Sequence, residues 1–68
     1  MRRFHLERDV DETGVSGTGT VAEGVEFSSG LCVMTWLTEH TSIAIYDNIN
    51  EIDYIHGHQG ATRIVWDD

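Results

Sequence analysis

The residues whose types and spacing come nearest to a reaction are two histidines one residue apart, His56 and His58, in the run Ile55-His56-Gly57-His58-Gln59-Gly60. Imidazole nitrogens bind zinc and other transition metals, and a His-x-His pair can ligate from a turn. A metal site, however, wants three or four protein ligands. His5, His40, Asp53 or Glu23 would have to complete the set, and their spacing does not join them to the pair. No His-Glu-x-x-His is present. His56 and His58 are metal candidates by residue type alone, and no cofactor is expected. The plainer expectation is that His56 closes a helix, where an imidazole meets the late carbonyls and the negative end of the dipole. His58 would then hydrogen-bond in the turn.

Arg63 leaves the glycine turn beside His58. An arginine in that position can hold a phosphate or a carboxylate ligand. The chain has twelve Asp and Glu against four Arg, so pairing with an acidic side chain is the first expectation. Cys32 is alone, which excludes an internal disulfide and a cysteine-based zinc site. Flanked by Leu31 and Val33, it reads as a small buried hydrophobe. The glycines at 14, 17 and 19 lack the G-x-G-x-x-G order, and no Lys-Ser/Thr follows them. They read as a turn entering a strand. No serine sits in a G-x-S-x-G elbow. A body this small rarely encloses a pocket of about 300 Å³ or more. An enzyme is not expected.

The elements that would position these residues are mostly strands. Residues 3–9 alternate, with Phe4 and Leu6 inward and His5 on the other face. Residues 10–19 are a glycine-rich loop. Residues 20–27 form a strand whose alternation would turn Glu23 inward, so a bend near Glu23-Gly24 is expected. The other reading keeps Glu23 inside as a site carboxylate. Residues 28–30 make a hairpin link. Residues 31–38 are apolar on both faces, with Leu31, Val33 and Leu37 on one and Cys32, Met34 and Trp36 on the other. Such a strand is central, or has one face in the core and the other under a loop or a partner. Trp36 is the candidate interface anchor, with core packing as its plainer role. Residues 42–46 are a fourth strand, with Ile43 and Ile45 on one face. Asn48 or Asp47 caps a short helix carrying Ile49, Ile52 and Ile55, and Gly57 ends it. Residues 62–66 close the fold, with Ile64 and Trp66 on one face and Arg63 and Val65 on the other.

This order predicts a mainly β, single-domain chain over residues 1–68. It resembles an SH3-like or Sm-like barrel of five antiparallel strands with one short helix before the last. A small antiparallel sheet capped by the helix is the second reading.

The net charge is −8, and lysine is absent. Free nucleic acid is therefore a poor partner, since phosphate binding needs clustered Lys and Arg. No run approaches the roughly 18 apolar residues of a membrane span. The charged N-terminus has no signal-peptide core. With a lone cysteine, these features point to the cytoplasm. The lysine-free acidic composition resembles the cytoplasmic proteins of haloarchaea, with a virus of such a cell or an actinobacterial source as further options.

The pairing of the stretch GVSGTGTVAEGVEF with the ending IHGHQGATRIVW resembles a group of very short proteins of haloarchaea, actinobacteria and their viruses. The resemblance implies no activity; it implies that the chain is a complete small protein. The expected function is a non-catalytic interaction module. It would self-associate as a homodimer and bind a protein partner through Trp36 or the His58–Arg63 corner. Two further readings are an acidic nucleic-acid mimic or small-anion-binding regulator, and a metal-binding protein built on His56 and His58.

Overall fold

The alternation of apolar and polar residues decides which way each strand faces. The computed structural model describes residues 1–9, 18–37, 41–56 and 62–68. Its strands are β1 (Arg2–Arg8), β2 (Gly19–Glu26), β3 (Cys32–Trp36), β4 (Ile43–Tyr46) and β5 (Thr62–Trp66), with one helix, α1 (Ile49–His56), before β5. All neighbouring pairs are antiparallel. They form one five-stranded sheet in the order β4-β3-β2-β1-β5.

The strand number, direction and helix position are those read from the sequence. The sheet is open: β4 and β5 are its two edges, four strand steps apart in the order. The physical reason is α1. It lies between β4 and β5 in the chain and touches both, so it caps one face and takes the place of strand closure.

That covered face holds the core. Phe4, Leu6, Val21, Ala22, Cys32, Met34 and Ile52 are fully buried, and Trp36, Tyr46, Ile49, Ile64 and Trp66 pack against them. The Trp66 and Phe4 rings meet edge to face at 5.6 Å, and the Arg2 guanidinium lies 3.8 Å from the Trp66 ring centroid. Arg8 follows Phe4 and Leu6 in the same alternation and is buried too. Its Nε donates to Thr62 Oγ1 at 3.0 Å.

The bulge in β2 lies at Val21, not at Glu23-Gly24. Leu6 pairs with Ala22 and Glu7 with Thr20, so Val21 is the extra residue. Both Val21 and Ala22 are thereby buried. Glu23 faces solvent, which removes the reading of an inward carboxylate. Gly24 serves another purpose. It is the partner of both Phe4 and Met34, and the Phe4 ring lies over its backbone. A Cβ there would be 2.6 Å from Phe4 Cζ and 2.7 Å from the Val33 carbonyl oxygen.

The β2–β3 link is a tight turn. Gly30 N donates to Phe27 O at 2.9 Å and Phe27 N to Leu31 O at 2.8 Å. Gly30 has φ +98°, the left-handed conformation that glycine adopts freely. Asn48 Oδ1 accepts from Glu51 N at 3.2 Å, the cap expected at the start of α1. Ile52 is the helix residue that enters the core; Ile55 is 53% exposed. No helix among the described residues is long and apolar enough to cross a membrane.

Candidate functional site

A strand offers alternate residues to alternate faces, and α1 covers one of them. The other face is built from the residues out of phase with the core. The registers align them in rows. One row runs Val65, His5, Glu23, Thr35, Ile43 from β5 to β4, and the next runs Arg3, Val25, Val33, Ile45 from β1 to β4. Directly opposed side chains in such rows are about 4.5–5.5 Å apart at Cβ.

The face is divided by chemistry. Its β5–β1 side is ionic. Arg3 donates from Nε and Nη2 to the Asp68 carboxylate at 2.6–3.1 Å, and its backbone N adds a bond of 2.8 Å. Those bonds and the guanidinium charge hold the Asp68 carboxyl down to about 2. Arg63 is bidentate to Asp9 at 3.1 Å, so the acidic pairing expected for it is present. His5 stands between Asp67, at 2.8 Å from Nδ1, and Glu7, at 3.0 Å from Nε2. Thr20 Oγ1 donates to Glu7 Oε1 at 2.8 Å.

The β3–β4 side of the same face is apolar. Ile43 and Ile45 are 71% and 67% exposed, and Val25 and Val33 are half-buried beside them. Between the halves lies a depression of about 480 Å³ lined by Arg3, Glu23, Val25, Val33, Thr35 and Asp67. The two arginines of this face are neutralised by their own carboxylates, so exposed Glu23 leaves the depression acidic.

The hydrogen bond to Asp67 outweighs burial and raises the His5 pKa above its ordinary 6.5. A histidine whose pKa is raised on folding contributes stability that is full below its unfolded value and is lost as pH rises through the folded one. The urea midpoint is therefore expected to fall as pH rises above about 6.5 and through the raised folded value. His5→Gln should flatten that dependence. A His5→Gln chain with the same slope would remove His5 as its cause.

Among the described candidates, Trp36 and His56 meet, and Arg63 lies apart from them. Trp36 lies on the covered face: its register partner is Ala22, itself opposite Leu6. Its ring meets His56 edge to face at 4.9 Å. His56 Nε2 is 2.6 Å from Tyr46 Oη, and burial pushes the Tyr46 phenol up. With the imidazole proton on Nδ1, the phenol donates to Nε2. Tyr46 thus holds one of the nitrogens a metal would need. No group of three or more His, Cys, Asp or Glu among the described residues is placed to hold a metal. Arg63 is three strands from Trp36, on the opposite face. His58 and His40 lie outside the described residues. Cys32 is buried, and burial raises its thiol pKa.

Val25, Val33, Ile43 and Ile45 lie on strands expected from the sequence, and the registers bring them together on a face that no described element covers. The signal was available: β3 is apolar on both sides, and one short helix can cover a single face of a sheet.

No curated protein and no solved structure matches the chain. A family described as Acb5 phage protein matches residues 1–68. The match spans the whole sequence, so the chain belongs to the Acb5 phage protein family.

Proposed function

We propose that this phage-family chain is a non-catalytic interaction module that docks a protein partner on the uncovered face of its sheet. The observation that carries the reading is the row Val25, Val33, Ile45 with Ile43 beside it, apolar and facing solvent. Isolated exposed hydrophobes are ordinary, but a contiguous patch with a polar border is the surface of an interaction site. The border here carries Glu23 and Asp67 beside Arg3, whose charge is met by Asp68, within a chain of net charge −8. The partner that fits has an apolar ridge flanked by Lys or Arg, and acidic surfaces steer such partners in.

The remaining chemistry supports a non-catalytic reading. The Cys32 thiol is buried in the core. Arg63 and Arg3 are occupied by carboxylates. Trp36 packs against the core on the helix-covered face, so on this reading the anchor is Val33, on the other side of β3.

Tagged protein incubated with lysate of phage-infected cells provides the test. Val33→Lys should reduce recovery of the partner by roughly tenfold or more, as for a central interface residue. Tyr54→Lys alters an 89% exposed residue of α1 and should leave recovery unchanged. Equal recovery by both variants, with the fold of each checked by circular dichroism, would contradict the proposal.

A further inference from the structure

The edge of the sheet at β4 has a geometry of its own. Trp36 N donates to Ser42 O at 3.2 Å, and the register pairs Met34 with Ala44 and Cys32 with Tyr46. In an antiparallel pair, successive residues turn their backbone groups to opposite sides. Ser42, Ala44 and Tyr46 therefore direct N–H and C=O toward β3. Ile43 and Ile45 direct theirs away from the sheet, where no described strand lies. The two residues whose backbone groups point away from β3 are also the two most exposed side chains of the strand.

Free edges are normally blunted by lysine, proline, an inward charge or a bulge. The β4 edge is short, at four residues, but has none of these: residues 41–46 read Thr-Ser-Ile-Ala-Ile-Tyr, without a charge. The β5 edge differs, since Arg63, Asp67 and Asp68 stand on or just beyond it.

We propose that β4 is a self-complementary edge through which two copies of this chain pair antiparallel about a two-fold axis beside Ala44. Ile43 of one copy then faces Ile45 of the other, twice. Each such pair exchanges two backbone hydrogen bonds, and the isoleucines stack on the uncovered face. Ala44 meets its own copy in the intervening pair, where backbones come closest, and it carries the smallest apolar side chain of the strand. Asp47 of one copy falls opposite Thr41 of the other, so the pairing sets no carboxylate against a carboxylate despite the net charge. The dyad is perpendicular to the sheets, so the result is one ten-stranded sheet built from two of five. Its uncovered faces lie on the same side. The pairing closes after two copies, as an isologous contact must. It uses the strand edge and does not depend on the docking reading.

Sedimentation equilibrium over a concentration series, in salt high enough to screen the charge, reads the assembly. The expected mass is twice 7.7 kDa. Amide exchange of Ile43 and Ile45 should slow as concentration rises, while exposed amides away from β4 do not change. Ile45→Pro removes an N–H that points away from β3, so the internal ladder keeps its bonds. It should weaken the dimer by roughly 30-fold, the loss of one donor from each copy. Arg63→Gln changes the opposite edge strand, β5, and should leave the dimer intact. A strict monomer, an open-ended polymer, protection that fails to include Ile43 and Ile45, or loss of the dimer in Arg63→Gln would each overturn the proposal. If Ile45→Pro does not fold, the exchange measurement on the unmodified chain decides.

Discussion

Gly24→Ala is expected to destabilise the protein by about 3 kcal/mol, the upper end for overpacking a tight core. A chain of 68 residues has about 3–10 kcal/mol in all, so the variant should lose about a third or more of its stability. The cause is specific. The new methyl group would be 2.6 Å from Phe4 Cζ and 2.7 Å from the Val33 carbonyl oxygen. The ring could shift, but the carbonyl belongs to the β2–β3 ladder and cannot move without breaking pairs. Phe4→Leu in the same chain should accordingly restore only part of the loss. Gly30→Ala provides the contrast. Nothing lies within 4 Å of a Cβ there, and the penalty is the φ of +98° alone, about 1–2 kcal/mol. Urea midpoints of the three variants check this order. A Gly24→Ala chain as stable as the parent would mean that Phe4 does not lie over the β2 backbone.

The second large effect is expected at Ile52. It is the fully buried residue of α1, and the helix is too short to hold itself together in water. Ile52→Ala should cost about 2–5 kcal/mol, the lost transfer energy plus the cavity left behind. The helix holds His56 against Trp36 and Tyr46, so tryptophan fluorescence should change with it. Ile55→Ala, at a half-exposed site one turn away, should cost under about 1 kcal/mol. Equal costs at the two positions would show that α1 is not anchored through Ile52.

Much of this arrangement could be read from the sequence. The alternation in β1 placed Phe4 and Leu6 inward and His5 outward, and TRIVW separated Ile64 and Trp66 from Arg63 and Val65. Asn48 marked the start of the helix because its side chain can satisfy a free N–H. Cys32 read as a buried hydrophobe because it is alone and flanked by Leu31 and Val33. Other features were hidden by local ambiguity. Periodicity in residues 31–38 could not say which apolar face of β3 was inside. That choice depends on where α1 lands, a contact between residues distant in the chain. The same uncertainty concealed the uncovered face, and made Trp36 rather than Val33 the candidate anchor. A glycine inside a strand suggests either a bulge or a close approach, and at Gly24 the second holds. The extra residue lies at Val21, which carries no sequence mark of a bulge. Barrel closure was inferred from strand count, but count alone does not decide whether a helix or a strand spans the gap between β4 and β5.

The claim that joins these observations is that the uncovered face of the sheet is where this Acb5-family chain meets its partner. Site-specific photocrosslinking in phage-infected cells tests it most directly, with a benzophenone side chain at Val33 on that face or at Tyr54 on α1. The face position is expected to give one predominant adduct with a protein, and the helix position none. Adducts from Tyr54 with none from Val33 would contradict the account and move the docking surface to the helix.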